Sequence, residues 1–335
     1  MEASDQRTIE TPDGWRLELR RLGASSARRA TPVLMLHGFG ANSFCLANRH
    51  GPSLGHYLAT RGADVWLLDF RGTQSSWHPD GSAAFARISV DDKILVDLPT
   101  AVSAVLAETQ QPSLDLLGFS LGGTIAYGYL SQHGQSAVRR VVTLAAPLRF
   151  ELPLALRLLL RLPTRRWGPG RMPRRLPLRG FTRLGARTRI VLPARDHFNL
   201  ANVDRSVLLA MMRDGAEDAA TGELSQLARW SVQGRLTSLD GAIDFGSRVG
   251  ELARPLLVLG AAADRHVRAE HLVSLLTTVA SPQKRLVVVG RQSGAQMDYG
   301  HTDLLLGRHA AIDVFPHVDE WLAEPSSTSP GDEDS

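Results

Sequence analysis

The feature that most constrains this chain is a glycine-rich turn between two apolar segments. Leu114–Leu117 is a short apolar run typical of a buried strand, and Thr124–Leu130 continues as a helix. The sequence between them, GFSLGG, is too short for anything but a tight turn. Because the residues on either side of Ser120 then come too close for side chains, Gly118 and Gly122 are required there. The pattern therefore predicts a strand, a turn with Ser120 at its tip, and a helix.

Further apolar runs alternate with helical patterns along the chain. Strands are predicted over Arg16–Leu22, Val33–Leu36, Ala63–Phe70, Arg140–Leu144, Pro255–Leu259 and Arg285–Val289. A helix is predicted over Asp97–Glu108, whose apolar residues recur at helical spacing. Strands separated by helices favour parallel pairing. The predicted fold class is α/β, with a mostly parallel central sheet and helices on both faces.

The strand rhythm stops between residues 149 and 245. Arg149–Arg189 holds twelve arginines, one glutamate and neither aspartate nor lysine, and leucines crowd its start. Because strand patterns return afterwards, residues 149–245 are predicted to form a helical cap inserted into an α/β core. The two parts of that core are residues 1–148 and 246–323. Residues 324–335 are polar and acidic, which predicts a disordered tail.

Composition excludes several kinds of site. Cys45 is the only cysteine, so an intramolecular disulfide and a cysteine-based zinc cluster are ruled out. No phosphate loop, metal-binding cluster or dinucleotide fingerprint occurs, and we expect no cofactor, no metal and no nucleic-acid partner. The start of the chain lacks a basic segment followed by an apolar one, and no apolar run reaches about eighteen residues. A cytoplasmic location is expected.

A serine at its ordinary pKa needs a base, and the base needs an orienting acid. In a sheet of this kind the acid and the histidine follow the serine in that order. Asp264 comes just after the Pro255–Leu259 strand, and His301 comes after the Arg285–Val289 strand. Both therefore lie at the carboxyl edge of the predicted sheet, together with Ser120. The competing acids are Glu151, Asp240, Asp244 and Asp298, and the competing bases are His266, His271, His309 and His317.

A second motif, HGFG, ends the Val33–Leu36 strand. The loop after this strand is expected to supply one backbone N–H of an oxyanion hole, and the residue after the serine the other. We assign these amides to Phe39 and Leu121. Two supporting roles are expected besides them. His37 and Gly38 order the loop, and Gly118, Gly122 and Gly123 give the turn its room.

The stretch from Val33 to Leu148 resembles the acid lipase branch of the α/β-hydrolases, and more distantly the polyhydroxyalkanoate synthases. The matching segments are LMLHGFG, YLATRGADVWLLDFRG, VDLPTAVSAVLAETQQPSLDLLGFSLGG and the later YGHTDLLLG. The resemblance implies a Ser–Asp–His triad, a cap over the site and an acyl ester substrate. It differs from the synthases in having Ser120 where they carry a cysteine.

These features favour a carboxylic ester hydrolase that forms an acyl-enzyme on Ser120. Two alternatives stay open: an acyltransferase with the same triad, and an inactive binding module on the same fold. A small-molecule or lipid-like acyl ester is the expected substrate. The arginines of residues 149–189 fit either a solvated surface or peripheral contact with an anionic membrane. The oligomeric state is left open.

Overall fold

The computed structural model describes residues 5–23, 29–150, 170–172 and 197–324. Its strands are β1 (Asp5–Glu10), β2 (Arg16–Leu22), β3 (Val33–Leu36), β4 (Val65–Asp69), β5 (Leu114–Phe119), β6 (Val138–Leu144), β7 (Arg171–Met172), β8 (Ala219–Ala220), β9 (Leu256–Ala261) and β10 (Lys284–Val289). Its α-helices are Leu54–Thr60, Ser82–Phe85, Val90–Asp92, Leu98–Thr109, Leu121–His133, Arg205–Ala210, Thr221–Gln233, Ala269–Thr278, Asp303–Leu306, Ala310–Asp313 and Phe315–Ala323.

Eight of these strands form one sheet, in the order β1-β2-β4-β3-β5-β6-β9-β10. Six adjacent strands, β4, β3, β5, β6, β9 and β10, pair parallel to one another. At one edge β1 pairs antiparallel with β2, and β2 pairs antiparallel with β4. The mostly parallel sheet predicted from the sequence is confirmed. All the parallel strands end at the same edge, which is where α/β folds place their sites.

Both faces of the sheet are covered. Leu116 and Val141 belong to a hydrophobic cluster on one face, whereas their chain neighbours Leu117 and Val142 belong to a cluster on the other. Helix Leu98–Thr109 packs into the first cluster and helix Phe315–Ala323 into the second. This double burial explains why the central strands read as continuous apolar runs rather than alternating ones.

The element boundaries differ from the predictions at a few places. The helix after Ser120 begins at Leu121 rather than Thr124, so it starts directly beneath the serine. A wide π-type turn, Lys93–Asp97, precedes helix Leu98–Thr109. Strand β1 was not predicted, because its residues are polar and mostly exposed. As an edge strand it pairs on one side only and needs no apolar face.

The described part of the predicted cap is not continuously helical. Helices Arg205–Ala210 and Thr221–Gln233 are separated by a π-type turn, Met211–Gly215, and by the short strand β8. Strand β8 pairs with β7 in a two-residue ribbon. Most of the arginine-rich segment and the predicted tail lie outside the described residues, so the cap as a separate domain stays a prediction. Among the described helices none is long and apolar enough to span a membrane.

Candidate active site

Ser120 stands at the tip of a strained turn between β5 and helix Leu121–His133. Its backbone has φ 53° and ψ −123°, a region that residues with a side chain rarely adopt. Such a conformation costs on the order of 1–3 kcal/mol and persists only where the surroundings enforce it. Here the Ser120 N–H donates to the Leu144 carbonyl at 2.8 Å, which fixes the turn to the end of β6. The partly exposed serine side chain is thereby held above the sheet edge.

The three glycines of this turn leave no room for side chains. A Cβ atom on Gly118 would lie 2.4 Å from the backbone of Gly123, and one on Gly122 would lie 2.5 Å from the Leu36 carbonyl oxygen. A Cβ on Gly123 would lie 2.4 Å from the Ala146 side chain. The obstruction at Gly118 and Gly122 is backbone, which cannot move aside without displacing β3 or the helix. The glycine requirement inferred from the motif thus has a steric cause.

Ser120, His301 and Asp264 form one chain of hydrogen bonds. The Oγ of Ser120 lies 2.8 Å from Nε2 of His301, and Nδ1 of His301 lies 2.8 Å from Oδ2 of Asp264. With Nδ1 donating to the carboxylate, Nε2 is left as the acceptor for the serine proton. His301 is 6% exposed, and the Asp264 side chain is closed off from solvent. The arrangement can raise the nucleophilicity of Ser120 and stabilise an imidazolium.

Asp264 is held as an anion by donors on both of its oxygens. Oδ1 accepts from the backbone N–H groups of His266 and Val267, at 2.7 and 3.0 Å. Burial on its own would raise the pKa of Asp264, but the hydrogen bond and charge of His301 and these two N–H groups outweigh it. The pKa of Asp264 therefore lies below its usual range. A carboxylate that stays ionised is what an orienting acid requires.

The competing acids have other partners. Asp298 Oδ1 accepts from the Arg291 N–H at 2.8 Å and so holds its own loop. Asp240 accepts from Ser238 Oγ at 2.6 Å, and Asp244 pairs with Arg235 at 2.6 Å. Glu151 lies outside the described residues. Among the described competing acids none is hydrogen-bonded to His301, whereas Asp264 is.

The HGFG loop packs directly against Ser120. A Cβ on Gly38 would come within 3.2 Å of the Ser120 Cβ, so glycine allows this close approach. His37 Nδ1 donates to the Gly38 carbonyl at 2.9 Å, and His37 Nε2 accepts from the Phe70 N–H at 3.2 Å. Its ring is thus neutral and connects the loop to the end of β4. Burial lowers the pKa of His37.

The two amides assigned to the oxyanion hole flank the serine. Phe39 follows Gly38 in the loop, and Leu121 is the first residue of the helix after the turn. N–H groups in a first helical turn have no carbonyl partner within their own helix. The positive end of the helix dipole adds to their preference for a negative oxygen. Both residues are therefore chain neighbours of residues at the site: Phe39 follows Gly38, which packs against Ser120, and Leu121 follows Ser120 itself.

Comparison with known proteins fixes the family. The family model described as alpha/beta hydrolase fold matches residues 31–291. The chain belongs to this family. Eight-stranded topology, the serine at the elbow and the placement of Asp264 and His301 all agree with the α/β-hydrolase architecture.

Curated relatives place the chain near the acid lipases, as its motifs indicated. It is 34% identical over 146 residues to human lipase member N and, equally, to human lysosomal acid lipase/cholesteryl ester hydrolase. Bovine gastric triacylglycerol lipase is 32% identical over 134 residues. The first two alignments cover 41% of this chain and 37% of each relative, so the chain spans little more than a third of the relatives that it matches.

Solved structures share the α/β-hydrolase fold at low sequence identity. A monoacylglycerol lipase from Paleococcus ferrophilus has a TM-score of 0.61 at 16% identity, covering 91% of this chain and 98% of its own. The esterase EaEST from Exiguobacterium antarcticum has a TM-score of 0.55 at 19% identity, covering 90% and 94%. At these identities the comparison shows the fold and leaves the substrate open.

One residue at the α/β-hydrolase site was misread from the sequence. His266 counted only as a competing base, but its ring lies edge-on to His301, with centroids 5.2 Å apart. It also stacks on His197 at 4.4 Å. Its backbone N–H donates to the Asp264 carboxylate, so residues 264–266 form an Asx turn that holds Asp264. The sequence signal was its position two residues after the acid. Among the other competing bases, His271 and His317 lie on helices and His309 directly precedes one.

Proposed function

We propose that this protein is a carboxylic ester hydrolase that works through an acyl-enzyme on Ser120. The observation that carries the proposal is the unbroken hydrogen-bond chain from Ser120 through His301 to Asp264. It stands at a strained turn whose conformation presents the serine oxygen. All three residues are intact, which argues against an inactive binding module.

The expected reaction has two halves. His301 Nε2 takes the proton of Ser120 Oγ as the serine oxygen attacks the ester carbonyl carbon. The tetrahedral intermediate collapses, the carbon–oxygen bond to the alcohol breaks, and the proton moves from His301 to the leaving alcohol. A water molecule then gives a proton to His301 and attacks the acyl carbon. The carboxylic acid leaves, and the proton returns to Ser120.

Two further groups assist both halves. Asp264 keeps the Nδ1 proton of His301 in place and stabilises the imidazolium that forms. The N–H groups of Phe39 and Leu121 donate to the carbonyl oxygen as it becomes negative. Because these donors are fixed before the reaction, the site needs little reorganisation at the transition state.

The names of the relatives suggest a lipid-like ester. Lysosomal acid lipase/cholesteryl ester hydrolase and gastric triacylglycerol lipase are named for such substrates. A panel of nitrophenyl esters of increasing chain length, run with and without an alcohol acceptor, measures both the acyl preference and the share of acyl transfer. We expect free acid to be the main product.

The test of the proposal is Ser120→Ala. Removal of a triad nucleophile is expected to lower turnover by about 10⁶-fold. The alanine variant should keep its melting temperature, because the strained turn loses no bonded backbone group. A serine-directed fluorophosphonate should label Ser120 in the unaltered protein, as read by peptide mass spectrometry.

A surface serine provides the control. Ser82 is exposed and begins a short helix, and Ser82→Ala should keep both full turnover and fluorophosphonate labelling. If Ser120→Ala retained turnover, or if the probe labelled another serine, the proposed mechanism would be wrong.

The proposal extends to the arginine-rich segment, residues 149–189, as a surface that contacts anionic lipids. Each arginine near such a surface contributes on the order of 1 kcal/mol. Binding to vesicles should rise with their anionic lipid content and fall with added salt, as measured by sedimentation. Equal, negligible binding to neutral and anionic vesicles at low salt would remove this part of the proposal.

A further inference from the structure

The oxyanion loop is hydrogen-bonded to the inserted segment, residues 149–245, directly after Phe39. Gly40 accepts from the Glu217 N–H at 2.9 Å, and Ala41 forms an antiparallel bridge with Ala216. The Asn42 N–H donates to the Gly215 carbonyl at 3.2 Å. Residues 40–42 therefore pair with residues 215–217 as a short piece of sheet, immediately after Phe39.

The Asn42 side chain extends this contact. Its Nδ2 donates to the Asp214 carbonyl at 2.9 Å and to the Glu217 carboxylate at 2.7 Å. Its Oδ1 accepts from the Phe44 N–H at 3.0 Å and caps the turn Ser43–Cys45. The amide thus uses both donors on the insertion and its acceptor on the core.

Glu217 is an unusual residue at this position, because it is only 3% exposed. A buried carboxylate is stable only when donors satisfy it. The Asn42–Glu217 contact therefore adds a buried side-chain hydrogen bond to the backbone pairing that holds the loop.

We propose that Asn42 and Glu217 form a clamp through which the inserted segment positions the Phe39 N–H of the oxyanion hole. Both are positioning residues: Asn42 bonds the loop to the insertion, and Glu217 is the residue of the insertion that receives its amide. The inference rests on the proposed function, because an oxyanion hole acts only in acyl chemistry. It assigns to the insertion a part in catalysis that differs from covering the substrate.

The test uses Asn42→Ser and Glu217→Ala. A serine at 42 keeps an oxygen to cap the turn, but it is too short to reach Glu217. A displaced donor weakens transition-state binding, so kcat should fall about 10- to 100-fold while KM changes less than about twofold. Glu217→Gln keeps an acceptor oxygen and should restore most of the rate.

Gln226→Ala is the matched control. Gln226 is also buried, and it joins the insertion to the core through the Val90 N–H at 2.9 Å and the Asp91 carboxylate at 2.5 Å. It also donates to the Thr237 carbonyl at 3.0 Å within the insertion. None of these three bonds reaches the oxyanion loop. Its alanine variant should lower the melting temperature as much as Glu217→Ala does, and it should keep the kcat of the unaltered protein.

Two readouts separate this inference from the proposed function. A trifluoromethyl ketone forms a tetrahedral oxyanion with the serine and so mimics the transition state. In each clamp variant its inhibition constant should rise by the same factor by which kcat/KM falls. Hydrogen exchange at residues 38–41 should quicken in the clamp variants and not in Gln226→Ala, whatever the turnover. Unchanged exchange together with unchanged ketone binding in both folded variants would overturn the clamp. Loss of ketone binding in Ser120→Ala tests only the proposed mechanism.

Discussion

The sheet edge and the inserted segment contribute to the same site through different kinds of contact. At the sheet edge, side chains meet side chains: Ser120, His301 and Asp264 are bonded in a row. On the insertion, the Glu217 carboxylate accepts from the Asn42 side chain, and the Glu217 N–H donates to the Gly40 carbonyl. Under the proposed mechanism, the reacting groups and the oxyanion donor at Phe39 are therefore held by separate segments of the chain. Changes on one side should therefore alter the chemistry, and changes on the other should alter stability or fine positioning.

After Ser120→Ala, the largest effect is expected at the sheet edge, from Asp264→Asn. The amide keeps the shape of the carboxylate but favours the wrong histidine tautomer and leaves the imidazolium without its partner. Turnover should fall by about 10⁴-fold, as is typical of this change in a Ser–His–Asp triad. The measurement is kcat on a nitrophenyl ester, with circular dichroism as the check on folding.

Asp298→Asn is the comparison for that variant. Asp298 precedes His301 on the same loop, but its carboxylate accepts from the Arg291 N–H instead of the histidine. An asparagine oxygen can accept the same bond, so turnover should stay within about twofold of the unaltered protein. A normal rate for Asp264→Asn with a large loss for Asp298→Asn would reassign the acid.

An intermediate effect is expected where the insertion docks on the core. Lys93 Nζ lies 2.5 Å from Glu223 Oε1, and both side chains are almost fully buried. Lys93→Met leaves a buried carboxylate without this partner, which costs about 3–5 kcal/mol of folding stability. Chemical unfolding should show this loss, whereas kcat measured well below the melting temperature should change little.

Two controls sharpen this prediction. The double variant Lys93→Met, Glu223→Leu removes both charges and should recover most of the lost stability, since replacing a buried pair by apolar residues is often neutral. Arg235→Met breaks the exposed pair with Asp244 on the same segment and should have little effect. A fall in kcat for Lys93→Met comparable to that of Asp264→Asn would contradict the division between the two regions.

The smallest effect is expected from His37, which lies between the two regions. Burial and the nearby Lys93 lower its pKa, and they outweigh the opposing charges of Asp69 and Glu223 and its bond to Gly38. The unfolded chain binds a proton below about pH 6.5, where the folded ring is still neutral. The free energy of unfolding should therefore fall as pH drops from about 6.5 towards the folded pKa, by at most about 1.4 kcal/mol per pH unit.

Urea unfolding between pH 7.5 and 5 measures this slope. His37→Asn keeps a donor near the Nδ1 position and removes the titration, so its slope should be smaller by the contribution of one proton. His56 and His133 also have lowered pKa values through burial, and they add to the slope of both proteins equally. Identical slopes would show that His37 does not carry the effect.

The sequence predicted the core of the site because each part has a local signal. The turn at Ser120 is dictated by the glycines around it, and strands buried on both faces give continuous apolar runs. The order of serine, acid and histidine then follows from the order of the strand ends. Asp264 could be preferred to Asp298 because it directly follows a strand, which is a matter of topology and not of residue type.

The contacts of the insertion could not be predicted in the same way. Asn42 and Glu217 are 175 positions apart, and neither lies in a recognisable motif. A sequence does not distinguish a buried glutamate from an exposed one, and only the packed structure shows that Glu217 is buried. The edge strand β1 was missed for a related reason, since its polar residues carry no sign of the pairing with β2.

The separation between Ser120 and His301, 181 residues, also sets the order in which the proposed triad is assembled. At about 5–20 residues per second, synthesis of that stretch lasts on the order of 10–40 s. Throughout this interval the newly made serine is an ordinary alcohol without a base. The base arrives only after β10 has been made and has paired with β9. Under the proposed mechanism, the nascent chain should therefore cleave no ester until the last strand of the sheet is in place.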